Sequence, residues 1–506
     1  MATKLSRTRT QTQVEKLNAL LEIGKCLASE RDLDKLLEMI AREVTHVTNA
    51  DRSTIFVVDR EKGELWSRIA QNLEITEIRM PIDRGIAGYV ATSGEIVNVA
   101  DAYKDPRFNT EVDQLTGYKT HSLLCAPMVT RENDIIGVIE VLNKHGGPFT
   151  AEDEEILLAF AGEAAVAVEN ALLYEQIELI MESFIGAAVY AIESRDPTTS
   201  GHSARVAAYT LSLAKAVNEI TTGPLADVNF TPRELKALRY ACLLHDFGKI
   251  GVREAVLLKS NKLYEHELEL LLMRFRLIKR SIEADILKKK LEILQSGTGD
   301  ADDALARLDE EIDREFRKID DYLKFILECN KPTTTPRDNF AKLRHIAQQT
   351  YTDVDGAQKP YLTQYELESL SIEVGSLRQH ERLEVESHVT QTVNFLKKIP
   401  WTKDLKDIAL IAGRHHERLD GSGYPDQLDG RHIPYQTRMM MIADIYDSLT
   451  AMDRPYKKTF TPAKALEVLK EEARKNKIDG DLLKVFIEAE IYKKGLDQTP
   501  LPGTKP

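Results

Sequence analysis

From Ala151 the chain reads AEDEEILLAFAGEAAVAVENALLYEQIELIMESF to Phe184, with apolar residues at helical spacing, no proline and one glycine, Gly162. A run of this kind specifies a long helix. The halves on either side of it differ in hydrophobic period, and the helix leads directly from one into the other. Ahead of it, apolar residues recur at helical spacing from about Val14 to Val47, through Leu17, Leu20, Leu36, Leu37 and Ile40, which predicts amphipathic helices over residues 1–50. The period then changes to short β-branched runs parted by Gly, Asp or Pro: STIFVVD (53–59), ELWSRIA (64–70), EIVNVAD (95–101), SLLCAPMV (122–129) and DIIGVIEVLNK (134–144). The first half is therefore expected to be a helix–sheet–helix module.

The second half is expected to be helical from Glu182 to about Lys494, with no strand, and it holds nine of the chain's twelve histidines. Between Glu265 and Cys329 a charge-rich pair of helical segments is split by SGTGD (296–300), the pattern of an antiparallel helical hairpin, and NKPTTTPRDN (330–339) breaks the helix after it. The tail over 495–506 is expected to be disordered. At 506 residues the chain is too long for one ordinary core, and two domains plus an insertion fit its pattern.

A formal charge of −13 argues against broad nucleic-acid binding, so a phosphate-bearing substrate would need metal ions or a local basic patch. Cys26, Cys125, Cys242 and Cys329 lie far apart with no CxxC spacing, which fits a reducing compartment. The polar amino terminus and the lack of about 18 unbroken apolar residues lead us to expect a cytoplasmic protein with no membrane span.

His202, the pair His245-Asp246, His388, the pair His415-His416 and Asp444 are imidazoles and carboxylates spread over five predicted helical segments. Mixed nitrogen and oxygen ligands suit iron, manganese or zinc. Single histidines carry little weight, and His46, His145, His266, His345, His380 and His432 are read as ordinary core or surface residues. The adjacent pairs weigh more. Neighbouring helical residues diverge by about 100°, so His415 and His416 more naturally serve two metals than one. Asp246 could bridge two ions about 3.5–4 Å apart, placed to hold opposite phosphate oxygens during an in-line displacement. Lys249, one turn later, could meet negative charge developing at phosphorus. Asp447, one turn after Asp444, could orient a histidine or a water. The Asp420-Gly421-Ser422-Gly423 turn frees the chain from helical geometry so that Tyr424 and Pro425 can line a substrate cleft.

HDFGKIGV (245–252), HHERLDGSGYP (415–425) and ADIYDSLTAMDRPYKK (443–458), preceded by DPTTSGHSARVA (196–207), resemble the signatures of the HD-GYP family of the HD hydrolase superfamily. The resemblance implies an all-helical domain over about 185–494 that hydrolyses cyclic di-GMP to pGpG, GMP or both at a site holding iron or manganese. It assigns His202, His245, Asp246, His388, His415, His416 and Asp444 as metal ligands. Lys249, with Asp246 and Asp447, belongs to the catalytic set, and Gly421, Tyr424, Arg454 and Lys457 contact substrate. Thr198 stands where some members carry a glutamate for a third metal, so two metals are expected, and Glu193 is read as a solvated helix carboxylate. The family pattern KxGxLTxxE is begun at LLKSNKLYEHELELLLMR (257–274), where Met273 or Arg274 takes the place of the ligand histidine. It reappears at GSLRQHERLEVESHV (375–389), which supplies His388. The stretch over about 265–374 is therefore read as an insertion, a surface for a protein partner. Two rival functions remain: a catalytically idle receptor for cyclic di-GMP, and a hydrolase of another cyclic dinucleotide such as cyclic GMP-AMP.

Residues 15–172 resemble a GAF domain. NKHGGPFTAEDE places Asn143, Lys144, Phe149, Asp153 and Glu154 as the NK, F and DE found in GAF domains of cyclic-nucleotide phosphodiesterases, which implies a cyclic mononucleotide as ligand. The residues also have a plain structural reading, in which Asn-Lys closes a strand, Phe149 packs and Thr150 with Asp153 caps a helix. The whole is expected to be an α+β multidomain protein: an α/β GAF sensor domain joined by a linker helix over 155–190 to the all-α HD-GYP domain with its inserted hairpin. A homodimer through the amino-terminal and linker helices would carry a pocket event to the metal site.

Overall fold

The computed structural model describes residues 22, 24–67, 78–196, 200–296, 301–451 and 459–494. The helical reading over residues 14–21, the end of ELWSRIA, Thr198, most of the SGTGD break, Arg454, Lys457 and the carboxyl-terminal tail fall outside the described residues. The chain divides into two units, 1–182 and 183–506.

The first unit is built on a six-stranded antiparallel sheet. Its strands are β1 (Ala50–Asp59), β2 (Glu64–Ser67), β3 (Ile78–Pro81), β4 (Val97–Val99), β5 (Leu123–Val129) and β6 (Ile135–Lys144), in the order β3-β2-β1-β6-β5-β4. All five expected strands form, and Ile78–Pro81 adds a sixth too short to show in the sequence. Alternation sorts the side chains into two faces. Ile55, Val57, Leu124, Ala126, Ile139 and Val141 pack under the helices α1 (Leu33–Thr48) and α3 (Ala151–Arg195). Phe56, Leu123, Cys125, Val138 and Leu142 turn to the other face, against α2 (Gly85–Ser93). The helical pattern near the amino terminus breaks before α1, where Asp32 caps the new helix by accepting the Lys35 N–H.

The helix α3 is 45 residues long, longer than its sequence run. By length and composition it could cross a membrane, with mean hydropathy 1.7 over its most apolar stretch, where no such segment was expected. Its apolarity serves the first core: Leu157, Phe160, Ala161, Ala164, Ala165 and Val168 are buried against the sheet.

The second unit is helical, through α4 (His202–Asn218), α5 (Pro232–Leu244), α6 (Glu265–Ser296), α7 (Ala301–Cys329), α8 (Asp338–Ala347), α9 (Gln364–Leu370), α10 (Gln379–Leu396), α11 (Ile408–Ala412), α12 (Tyr435–Thr450), α13 (Pro462–Arg474) and α14 (Gly480–Glu488). The expectation of no strand here is corrected by a small antiparallel hairpin, β7 (Thr350–Thr352) with β8 (Gln358–Pro360), whose turn uses Gly356 at φ 82°. The pair α6 and α7 forms the expected helical hairpin. Together with α8, β7, β8 and α9 it encloses its own core of Phe275, Ile278, Ile319, Ile326, Leu343 and Tyr361 among others.

Candidate metal centre

The helix α5 starts on a capping box of Thr231 and Glu234, with Pro232 at its first position, and ends at His245. There the His245 Nδ1–H donates to the Cys242 carbonyl three residues back, at 2.6 Å. The same bond recurs at His388, to Val385, and at His415, to Ala412, each at 2.6 Å. A carbonyl can only accept, so each Nδ1 holds the proton and each Nε2 presents a lone pair. A helix end, a helix interior and a turn thus fix three imidazoles, His245, His388 and His415, in one tautomer.

Those lone pairs converge on Asp246. The Nε2 atoms of His388 and His415 lie 3.4 and 4.0 Å from its Oδ1, and those of His245 and His202 lie 3.6 and 4.0 Å from its Oδ2. Nε2 of His388 and of His415 are buried with no hydrogen-bond partner among the described residues. Acceptor faces acceptor here, and leaving one buried polar atom unpaired costs about 1–3 kcal/mol. A cation between them would relieve the contact, so the donor set fits a metal centre.

Three groups of residues have ligand atoms all within 4.8 Å of one another: His202 with His245 and Asp444, His388 with His415 and His416, and His245 with Asp246 and His415. His415 and His416 share a group, which differs from the expectation that they diverge. Residues 413–416 form a turn after α11, not a helix, and the two rings sit 4.1 Å apart. The remaining ligand candidates come from the first residue of α4 (His202), from α10 (His388) and from α12 (Asp444).

Electrostatics follow from burial. Burial works to raise the Asp246 carboxyl, but Lys249 and the surrounding imidazoles outweigh it and hold it well below its usual range. Burial pushes the His388 and His415 imidazoles down, and His416 down to about 4, so these rings are neutral and free to ligate. His202 goes the other way: burial lowers it, but Asp444 and Asp447 raise it to about 9. Its Nδ1 lies 2.7 Å from Asp447, and Asp447 in turn accepts from Arg205 at 2.7 and 3.1 Å. Lys249 Nζ lies 2.8 Å from Asp246 and 3.3 Å from Asp196.

Several supporting residues carried no assigned role in the sequence reading. Thr392 on α10 donates to the His245 carbonyl at 3.0 Å and accepts the Gly248 N–H at 2.8 Å, tying the His-Asp turn to the helix that bears His388. A Cβ on Gly248 would lie 1.9 Å from the His388 carbonyl, so only glycine allows that approach. Glu417 is fully buried and accepts the backbone N–H groups of Asp426 and Leu428 at 2.7 and 2.9 Å, which holds the loop after the histidine pair. Arg205, one turn after His202, could have been suspected from that spacing. Glu193 departs from its reading as a solvated carboxylate: Oε2 accepts the Gly201 N–H at 2.9 Å, Oε1 is buried without a partner among the described residues, and burial raises its pKa.

Tyr424 lies beside His416, ring centroids 4.8 Å apart, and its N–H donates to the His416 carbonyl at 3.1 Å. Gly421 has φ 77° and serves the turn, its N–H donating to Arg418. In the first unit, Asn143, Lys144, Phe149 and Asp153 act as a latch. The Asn143 side chain accepts from His121 and Ser122 N–H and donates to Tyr118 and Lys119, which uses its whole capacity. Lys144 pairs with Asp153, which also accepts from Thr150, and Phe149 joins the core under α3. None of the four lines the unit's cavity of about 70 Å³, whose polar walls include Arg52, Asp113, Tyr118, Thr120 and Glu140.

Comparison with known proteins agrees with this division. The GAF domain family matches residues 32–168, and HD domain families match 199–327 and 365–482. A probable 3′,5′-cyclic phosphodiesterase of Caenorhabditis elegans is 34% identical over 186 residues, 31% of this chain and 25% of that protein, so the chain spans about a quarter of that relative. The GAF domain of a phosphoenolpyruvate-protein phosphotransferase from Coxiella burnetii is 21% identical, with TM-score 0.30, over 32% of this chain and 96% of its own. A GAF domain/HD domain protein from Geobacter sulfurreducens is 15% identical, with TM-score 0.26, over 29% of this chain and 98% of its own. With the antiparallel sheet in one unit and the buried His-Asp cluster in the other, the chain is a GAF domain followed by an HD domain.

Proposed function

We propose that the protein is a metal-dependent phosphodiesterase of the HD-GYP type that hydrolyses cyclic di-GMP to pGpG, GMP or both, under control of a signal received by its GAF domain. The observation that carries the reading is the buried ring of imidazole lone pairs around Asp246, which suits a charge-bearing ion better than it suits packing. Two divalent cations, iron or manganese, supply Lewis-acid charge to a phosphodiester when bound. His202, His245 and Asp444 would hold one and His388, His415 and His416 the other, with Asp246 between them.

The chain's own residues do the rest. Lys249 is kept charged by Asp246 and Asp196 and offers its ammonium to a phosphate oxygen. Asp447 fixes the His202 ring. Glu417 shapes the loop that sets Tyr424 beside His416, where its ring can pack on a nucleobase. Arg454 and Lys457 add basic contacts by resemblance, and dimerisation through the linker helix would relay GAF events. The resemblance to a probable cyclic phosphodiesterase points to the same bond class.

The test is turnover of cyclic di-GMP and of cyclic GMP-AMP by purified protein loaded with Mn(II) or Fe(II), with products separated by chromatography. Release of pGpG or GMP from cyclic di-GMP supports the reading. Protein that holds two metals and turns over neither compound refutes it.

A further inference from the structure

The helix α6 is apolar on two opposite faces. Leu271, Phe275, Ile278 and Ile286 are buried in the hairpin core. Leu270, Met273, Leu287, Leu291 and Leu294 point the other way and are between 53% and 61% exposed. An exposed helix normally carries one apolar stripe, so a second one implies a second contact. With Leu277, Arg280 and Ala284 between them, of which Leu277 is half-buried against the hairpin core, these positions are spaced 3, 4, 3, 4, 3, 4 and 3 residues apart, the a and d pattern of a coiled coil with a at 270, 277, 284 and 291.

We propose that this face of α6 pairs in parallel and in register with α6 of a second copy of the chain. The flanking charges choose both occupant and direction. Parallel pairing sets each g position against the e position five residues on in the partner, giving Glu269 with Arg274, Arg276 with Ser281, Glu283 with Lys288 and Lys290 with Gln295. Each of these is attractive or neutral, although within its own chain Arg274 is held by Glu366 at 2.6 Å, Lys288 lies 3.6 Å from Asp285 and Lys290 pairs with Asp309 on α7. Antiparallel pairing about the same seam would set Arg276 against Lys290, Glu283 against Glu283 and Arg274 against Lys288, all repulsive. Arg280 is the one charged seam position. It bonds Glu283 at 2.6 Å on its own helix and can carry its guanidinium to the edge of the seam, as a polar layer that favours one register over its neighbours.

Cross-linking of the full chain decides it. Cys26 is exposed and the other three cysteines are buried, so Cys26→Ser gives a quiet background. Leu287→Cys, at a d position, should oxidise to a disulfide-linked dimer at least tenfold more than Glu292→Cys on the same helix but off the seam. Adding Leu291→Asp should remove that excess, and Arg280→Leu should increase it. Both cysteine sites are exposed, so neither endangers folding. Equal yields at 287 and 292, or an excess that survives Leu291→Asp, would overturn the proposal. The readout needs no catalytic turnover, so it stands apart from the fate of the phosphodiesterase reading.

Discussion

Two polar clusters are buried in the helical unit, and they are satisfied to different degrees. In one, Glu381 is fully buried and accepts from Lys259 at 2.8 Å through both oxygens, from Tyr264 at 2.7 Å and from Arg378 at 2.8 and 3.1 Å. Three residues after Lys259, Lys262 is fully buried and donates to Thr335, Ile372 and Leu370, at 2.5, 2.6 and 3.3 Å. In the other, around Asp246, the buried Nε2 lone pairs of His388 and His415 face a carboxylate at 3.4 and 4.0 Å and have no hydrogen-bond partner among the described residues. Paired charges make the first cluster a fastener, joining the start of the α6–α7 segment to α10, and only the Arg378 Nε is left buried without a hydrogen bond among its described residues. Incomplete pairing marks the second as a site whose partner comes from outside the chain.

Substitutions should separate the two roles. Losing a residue that merely orients a ligand costs about 10–100-fold in metal affinity or activity, so losing a ligand itself should cost more. On the proposed phosphodiesterase reading, His388→Ala and His415→Ala are expected to cut turnover by more than about a hundredfold, with metal content by elemental analysis falling in step. Their unfolding midpoints without metal should hold or rise, because an unpaired acceptor has gone. Asp447→Asn should leave metal bound more weakly and lower activity by about 10–100-fold. A His415→Ala variant that keeps both metals and full turnover would break the comparison at its centre.

At the fastener the expectation reverses. Glu381→Gln leaves Lys259 buried without its counter-charge, and breaking a buried pair in this way costs about 3–5 kcal/mol. Urea unfolding should show that loss while metal content per folded molecule stays unchanged. The pH dependence has a definite sign. Burial works to raise Glu381, but Lys259 and Arg378 outweigh it and depress it to about 2 from 4.5. A depressed carboxyl contributes stability that is whole above pH 4.5 and is lost as pH falls toward 2. The wild type should therefore weaken over that window, and the Gln variant should be flatter there.

The buried His-Asp cluster was legible in the sequence because its chemistry restricts residue types: His-Asp and His-His pairs are hard to explain otherwise, and each candidate ligand could be named before its neighbours in space were known. The grouping of His415 with His416 was not legible, since it depends on the chain leaving α11 one turn early. The fastener was hidden for a different reason. Lys259 and Glu381 stand 122 residues apart, and either one alone reads as a surface charge. The strands β3, β7 and β8 escaped because, unlike β2 and β4, they were not read within a longer β-branched run, and three or four residues alone carry no period. In the GAF domain the NK, F and DE residues pointed to a ligand by resemblance, while their structural reading as strand closure and helix cap describes what their side chains touch.

The smallest expected effect extends the comparison to the first unit. Glu140 on β6 lines the cavity, and among the described residues its side chain has no hydrogen bond. Burial, with Asp113 adding to it, raises its carboxyl from 4.5 to about 7. A raised carboxyl works opposite to Glu381: its contribution is whole below pH 4.5 and is lost as pH rises through about 7. Between those limits the GAF unit should lose stability on the alkaline side, where the helical unit's fastener is intact. Glu140→Gln removes the charge but keeps the shape, so at pH 8 it should raise the unit's thermal midpoint above that of the wild type. The effect should vanish near pH 4. Thermal unfolding of the two proteins across that range measures it. A Gln variant less stable than wild type at pH 8 would mean that the carboxylate is paired after all, and Glu140 would then belong with the satisfied cluster rather than with the open one.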